Sequence, residues 1–337
     1  MSDTITLAHG AGGRQTAALI DTVFAHHFRN PDFTADDAAV LPLGSTRAAF
    51  TTDGFIVSPW RFPGGNIGKL SICGTVNDLA CMGAVPRYLS CAFQIEEGFA
   101  IEDLKAIAAA MAKTAEEAGV RIVAGDTKVA GRGQVDHIFI TTTGIGEVLP
   151  GAAPSGSRAR PGDAVLVTGD IGRHGCAILL AREDFGIEAD VTSDCAPLAK
   201  MVQQLFDAVE DKKAIHTIRD ATRGGVGTVL YEIARESQVG VRLKSAAIPV
   251  DPAVKGVCGM LGLEPLYLAC EGRLVIVAPQ KIAPQLLAVL RQSPYGTSAA
   301  IIGEITDDPA GSVIVETELG TRTLLPEPGG ELLPRIC

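Results

Sequence analysis

The sequence of 337 residues has no run of about 18 apolar residues, which is the length that a membrane-spanning helix requires. Its first residues, MSDTITLAHGAGGR, lack a basic stretch followed by an apolar core, so we expect no signal peptide. Basic side chains are outnumbered, at 29 against 39 acidic ones, which gives a formal net charge of −10. This balance argues against a nucleic acid or an anionic membrane as a partner. We therefore predict a cytoplasmic location, where thiols stay reduced.

The eight cysteines contain no C-x-x-C pair, and the six histidines are not spaced near them. This pattern argues against a zinc site, because such sites combine closely spaced cysteines and histidines. Most of the thiols lie in apolar runs such as KLSICGTV, so we expect six or seven of the eight to be small core residues.

The chain ends in EPGGELLPRIC, and its last residue is Cys337. Residues 326–337 contain too many prolines and glycines to form a helix. When extended, twelve residues span roughly 40 Å, enough to carry a terminal thiol into a distant cleft or into a neighbouring subunit. On the residues alone, this thiol is either an accident or a nucleophile on a mobile arm.

Apolar patterns typical of strands and of helices alternate along the chain, which predicts an α/β or α+β fold. Residues 102–118 form the clearest helix, ended by Gly119, and one face of it carries Leu104, Ile107, Ala108, Met111 and Ala115. The segment LPGAAPSGSRARPGD at 149–163 is the best linker in the sequence. It predicts an N-terminal domain at 1–150, a C-terminal domain at 160–325 and a mobile tail at 326–337.

Five aspartates occur among small residues or at strand ends in four short motifs. They are Asp36 and Asp37 in DDAAV, Asp53 in TTDG, Asp78 in VNDLACMGA and Asp126 in AGDTK. Carboxylates that gather in a partly buried place need compensating charge. Mg²⁺ bound to phosphate oxygens is the usual source of that charge. Each aspartate taken singly is equally well explained as a turn residue or a helix cap.

Three glycine-rich segments could offer backbone N–H groups to phosphates: HGAGGR, RFPGGNIGK and ATRGGV. None of them matches the spacing of a P-loop or of a dinucleotide-binding loop, so each could also be a plain turn. Glu271 lies between apolar runs in LACEGRLVIV. It could act as a base with a raised pKa, or it could cap a turn beside Arg273.

Taken together, these motifs resemble those of the hydrogenase maturation factor HypE family. The segments that carry the resemblance are DDAAV, TTDG, FPGGNIGKLSICGTVNDLACMGAVPRYLS, AGDTKV, DATRGGV and the terminal PRIC, and it extends over essentially the whole chain. HypE belongs to a wider group that includes aminoimidazole ribonucleotide synthetase, selenophosphate synthetase and thiamine-monophosphate kinase. The acidic motifs are common to that group and imply only the use of ATP with Mg²⁺, whereas PRIC is specific to HypE.

The resemblance implies a two-domain aminoimidazole ribonucleotide synthetase-like fold, with the N-terminal halves pairing through their sheets into a homodimer. ATP would lie in a cleft between the domains, near the dimer interface. The carbamoyltransferase HypF would load a carbamoyl group onto Cys337, and ATP would drive its dehydration to a thiocyanate. The cyano group would then pass to iron in a HypC–HypD complex, for the active site of NiFe-hydrogenase.

The resemblance also implies roles for individual residues. Mg²⁺ on the triphosphate would be held by Asp37, Asp53, Asp78 and Asp126, with Asp36 adjacent. The remaining nucleotide contacts would come from Gly64, Gly65, Asn66 and Lys69, and the catalytic groups would be Cys337, Glu271 as the base and Lys128 beside the transferring phosphoryl group. Two alternatives stay open: a small-molecule kinase or synthetase of the same group, and a non-catalytic scaffold that docks a partner through its tail.

Overall fold

Two mixed β-sheets organise the chain, one in each half. The structure is a computed structural model that describes residues 14, 17, 18, 36, 39–43, 46–327 and 335–337. The N-terminal elements are β1 (Ala39–Leu43), β2 (Thr46–Phe55), β3 (Arg61–Phe62), β4 (Gly65–Asn66), α1 (Ile67–Cys81), β5 (Ala84–Glu96), α2 (Ile101–Ala118), β6 (Arg121–Ala130) and β7 (Ile138–Val148).

The first sheet has the strand order β1-β2-β7-β5-β6. Its neighbours are antiparallel except for β5 and β6, which are parallel and are connected by α2, as a parallel pair requires a crossover. Along β7, side chains alternate between buried and partly exposed, so one face of the sheet packs on helices and the other does not. The edge strand β6 is exposed along almost its whole length.

The C-terminal elements are β8 (Asp163–Val167), α3 (Arg173–Ala181), α4 (Ala199–Asp207), β9 (Thr217–Asp220), α5 (Gly225–Glu236), β10 (Gly240–Lys244), α6 (Pro252–Leu261), β11 (Leu274–Pro279), α7 (Ala283–Leu290), β12 (Ala300–Thr306), β13 (Val313–Glu316) and β14 (Arg322–Leu324). They form a second sheet of order β14-β13-β10-β12-β8-β11-β9. Its interior strand β8 is buried on both faces, as its continuous apolar sequence predicts.

Helix α1 joins the two halves. It is buried on nearly every side because its sequence is apolar or small all round, and it contacts β2 and β7 as well as α4 and β9. Its Gly68 lies so close to α2 that an added Cβ would sit 2.4 Å from the Ile107 carbonyl oxygen. One hydrophobic core therefore runs through both halves, with members such as Leu70 in the first and Phe206 in the second.

The predicted mixed α/β class is confirmed, and so is the helix predicted over 102–118, which spans Ile101–Ala118. The face predicted for that helix needs one correction, because Ala108 is exposed and Thr114 is buried. The Thr114 hydroxyl donates to the Ala110 carbonyl, so this polar side chain is satisfied within its own helix.

The cysteine prediction is confirmed as well, because seven of the eight are buried and only Cys337 is partly exposed. Within the described residues, no helix is long and apolar enough to cross a bilayer.

Candidate functional site

The last three residues of the chain dock against the segment that follows β2. The Ser58 and Ile56 amides donate to the carbonyls of Arg335 and Cys337, both at 3.1 Å, as in a short strand pairing. The Arg335 side chain forms an ion pair with Asp136. Ile336 is buried in the main core, so the tail is anchored by apolar contact as well as by its backbone.

This docking places Cys337 among ionisable groups from both halves of the chain. Burial is the largest influence on the thiol and raises its pKa, with Glu271 acting in the same direction and Arg223 opposing it. In turn, the ionised forms of Cys337, Asp53 and Glu271 would each raise the pKa of Arg223. The Cys337 thiol therefore interacts electrostatically with Arg223 and with several carboxyl groups.

Glu271 is 2% exposed and lies in the turn before β11. Its backbone N–H donates to the Asp194 carboxylate at 3.2 Å, and its carbonyl accepts from Asn77 of α1 at 3.5 Å. Among the described residues, nothing hydrogen-bonds its buried Oε1 atom. Burial raises the pKa of Glu271 well above its ordinary value, and Arg223 opposes that shift. A buried carboxyl group with one unbonded oxygen has a high affinity for a proton.

Asp53 and Asp78 form a carboxyl pair on the same side of the first sheet. Thr75 donates to Asp53 at 3.0 Å, and Thr51 donates to Asp78 at 2.8 Å. Burial raises the pKa of Asp53, and the hydrogen bonds that its carboxylate accepts from Thr75 and from Asp78 oppose the shift. Two carboxyl groups in such contact favour a shared proton or a shared cation.

Asp126 and Lys128 lie elsewhere in the same chain. They form an ion pair at 2.9 Å on the exposed edge strand β6, and Lys128 lowers the pKa of Asp126. Across the first sheet, Asp53 pairs with Thr142 of β7, Thr142 pairs with Cys91 of β5, and Cys91 pairs with Gly125 of β6, which precedes Asp126. Three strand spacings amount to roughly 14 Å, so one subunit cannot offer Asp53 and Asp126 to the same cation.

The loop before α1 forms a small structure of its own. Residues 61–66 form the hairpin of β3 and β4, and Asn66 caps α1 by accepting from the amides of Gly68 and Lys69, at 2.9 and 3.1 Å. The Lys69 ammonium group donates to the Gly64 carbonyl at 3.1 Å and lines a polar cavity of about 290 Å³. Gly65 packs against Phe62, where an added Cβ would lie 3.1 Å from the ring.

Asp36 reaches the start of the C-terminal half. It accepts hydrogen bonds from the Ser155 hydroxyl and from the Gly156 amide, the latter at 2.9 Å, so here it fixes the junction between the two halves. Asp37 lies outside the described residues. Among the residues that are described, no group of three or more His, Cys, Asp or Glu side chains could hold a metal ion.

Comparison with known proteins adds to this geometry. Residues 35–148 match the N-terminal domain model of the AIR synthase related proteins, and residues 160–316 match the C-terminal one. The carbamoyl dehydratase HypE of Rhodobacter capsulatus is 45% identical over 99% of this chain and 98% of its own. The chain belongs to the HypE family of carbamoyl dehydratases.

Two solved HypE structures have the same fold. In a HypE–HypF complex, the matched chain is 46% identical, with a TM-score of 0.87 over 92% of this chain and all of that one. A HypE structure in complex with ATP is 48% identical, with a TM-score of 0.82 over 99% of this chain and all of its own. The resemblance inferred from the sequence motifs is thus confirmed over the full length.

Several residues of the site were not expected from the sequence. Arg223 lies in the glycine-rich segment ATRGGV, whose sequence points only to its backbone N–H groups, yet its guanidinium group interacts electrostatically with Cys337. Asn77, next to Asp78, donates to the Ala196 carbonyl and accepts from the Leu198 amide at 2.8 Å, so it ties α1 to the C-terminal half. His174 contacts the tail and is considered separately below. Only Arg223 had a signal, since it was the basic residue of a candidate phosphate loop.

The partly buried carboxyl group of Asp220 makes stability depend on pH. Burial raises its pKa to about 6 in the folded state, whereas an unfolded chain has about 3.9. The folded state therefore binds the extra proton between these values, and stability falls as the pH rises through about 6. Between pH 5 and pH 7, we expect the free energy of unfolding to fall by about 1 kcal/mol less in Asp220→Asn than in the parent chain. Urea unfolding at both pH values measures this, and an unchanged difference would contradict the assignment.

Proposed function

We propose that this chain uses ATP to dehydrate a carbamoyl group carried on the sulfur of Cys337, which produces a thiocyanate. The observation that carries the proposal is the docked position of Cys337 beside Glu271 and Arg223, with Asp53 nearby. Relatives named carbamoyl dehydratase and a relative solved with ATP support the reaction class and the co-substrate.

The chemistry has two steps. The carbamoyl oxygen bonds to the γ-phosphorus of ATP as the bond from that phosphorus to ADP breaks, and one N–H proton leaves. The C–O bond then breaks with its electron pair on phosphate, the second N–H proton leaves, and the C≡N bond forms. Phosphorylation is needed because an amide oxygen is otherwise a poor leaving group. The overall change removes the elements of water.

Glu271 is the base in this proposal. Its raised pKa gives it the proton affinity that removal of an N–H proton demands, and its unbonded Oε1 leaves room for that proton. Arg223 stabilises the ionised form and would also stabilise negative charge on the phosphorylated group. Glu271 would therefore accept a proton, and Arg223 would stabilise negative charge.

The Asp53–Asp78 pair fits Mg²⁺. This ion is usually bound through one or two carboxylates and fills its other positions with water and substrate phosphates, so no third protein ligand is needed. A cation there would relieve the cost of burying Asp53 as an anion. When bound, Mg²⁺ would offset charge on the triphosphate, and the two aspartates would fix its place relative to Cys337. Gly64, Gly65, Asn66 and Lys69, with Asp36 and Asp37, stay candidate nucleotide contacts.

The proposed partners would supply the carbamoyl group to Cys337 and accept the cyano group from it. HypF would supply the carbamoyl group, which the HypE–HypF complex of a relative supports. A HypC–HypD complex would accept the cyano group for the iron of NiFe-hydrogenase. We place the reaction in the cytoplasm, because a carrier thiol must stay reduced between visits.

A homodimer would explain the exposed strand β6. Val123 and Val129 of this edge strand are 62% and 70% exposed, and an unpaired apolar edge promotes association. Asp126 and Lys128 lie too far from Asp53 to act on the same phosphate within one subunit. We infer that pairing through this sheet would let them serve the nucleotide of the partner subunit.

The catalytic roles of Cys337 and Glu271 can be tested by intact-mass measurement of the terminal peptide, first with the carbamoyl donor system and then with ATP. The parent chain should gain the carbamoyl mass and then lose the mass of one water. We expect Glu271→Gln to be loaded normally but to lose water at least ~100-fold more slowly, because it lacks the base.

The matched control is Cys337→Ser, which should never be loaded. Full turnover by Glu271→Gln would refute its role as the base. Retained function in Cys337→Ser would favour a scaffold, and retained ATP-dependent phosphorylation of a small molecule by that variant would favour a kinase.

The dimer proposal predicts that Val123→Lys and Val129→Lys together produce a monomer, because two charges would be buried at the interface. Sedimentation velocity measures the change. Leu319→Lys, at a position that is 94% exposed in a turn, is the control and should leave association as in the parent. A parent chain that sediments as a monomer would overturn the proposal.

A further inference from the structure

His174 connects the tail to the body of the protein. It is the second residue of α3, its side chain is fully buried, and its ring bonds in two directions. Nδ1 lies 2.8 Å from the Ser193 hydroxyl, and Nε2 lies 2.7 Å from the Ile336 carbonyl oxygen. The imidazole therefore holds the residue that immediately precedes Cys337.

The hydrogen-bond pattern fixes the tautomer of this ring. A carbonyl oxygen only accepts, so Nε2 must carry the hydrogen, and Nδ1 must then accept from the Ser193 hydroxyl. That hydroxyl also accepts from the Cys195 amide at 3.1 Å, which leaves its own hydrogen free for Nδ1. Burial lowers the pKa of His174 and keeps the ring in the neutral form that this arrangement requires.

The ring is held from the side of the loop before α1. Phe62 packs edge-on against His174, with ring centroids 5.3 Å apart. The Ser193 amide donates to the Pro63 carbonyl at 2.8 Å, and an added Cβ on Gly64 would lie 2.9 Å from backbone atoms of Ser193. These contacts hold the His174 ring so that its Nε2–H points at the Ile336 carbonyl oxygen.

We propose that His174 is a positioning residue that latches the tail in its docked place and so sets how often Cys337 faces Glu271. The inference rests on the proposed function, because only a tail that must leave for its partners needs a reversible latch. Other contacts fix the residues on either side: Arg182 donates to the Arg335 carbonyl at 3.0 Å, and Ile56 donates to the Cys337 carbonyl. Ile336 lies between them, and His174 donates a side-chain hydrogen bond to its carbonyl oxygen.

Release of the tail can be measured on the full chain as the rate at which iodoacetamide alkylates Cys337, followed by mass measurement of the terminal peptide. The other seven cysteines are buried, so the signal is specific. We expect His174→Ala to raise this rate about tenfold, because it removes one buried hydrogen bond from the docked state. His174→Gln keeps an N–H donor and should come within about threefold of the parent.

The matched control is His216→Ala, which removes a buried histidine that bonds Asp163 in the second sheet. We expect it to leave the alkylation rate as in the parent. An unchanged rate in folded His174→Ala, or an equal increase in His216→Ala, would overturn the latch.

A second readout separates positioning from general damage. His174→Ala should be loaded by the carbamoyl donor at least as fast as the parent, because its tail is free more often, while ATP-driven loss of water becomes slower. Equal slowing of both steps would mark a purely structural role and would also overturn the proposal. If alkylation responds as expected but the loaded parent forms no thiocyanate, the proposed reaction fails and the latch stands.

Discussion

The docking of the last three residues beside the end of β2 is the interaction on which the rest of the site depends. Without it, Cys337 would have no fixed relation to Glu271 or to the other ionisable groups that act on its thiol. The contacts are those of a short added strand, with one buried isoleucine as the apolar anchor. Such a contact is strong enough to orient a sulfur atom and small enough to be broken.

Charge is the second constraint. Asp53, Asp220 and Glu271 all interact electrostatically with the Cys337 thiol, and burial raises the pKa of each carboxyl group. Arg223 opposes all three shifts, and Arg219 opposes the shift at Asp220 more strongly, yet the pKa of each carboxyl group stays raised. In the proposed reaction, a magnesium ion bound with the nucleotide would add positive charge there and would favour the ionised form of Glu271, the proposed base.

Periodicity predicts the helix α2, and a continuous apolar run predicts the buried strand β8. The helices α3 and α6 were missed, because RHGCAILLA and PAVKGVCGML contain glycines that lower helix propensity; packing on each other stabilises them instead. His174 was missed with α3, since a single histidine carries no motif. The grouping of Asp126 with Asp53 could not be judged, because the order β2-β7-β5-β6 is not sequential along the chain.

The central chemical claim is that the carbamoyl oxygen is phosphorylated and leaves as phosphate while its sulfur stays docked. It is tested most directly by loading Cys337 with a carbamoyl group whose oxygen is isotopically heavy, adding unlabelled ATP, and measuring the mass of the inorganic phosphate released. The account predicts that each phosphate formed during dehydration carries the heavy oxygen. Unlabelled phosphate, with the heavy oxygen recovered in water, would contradict it.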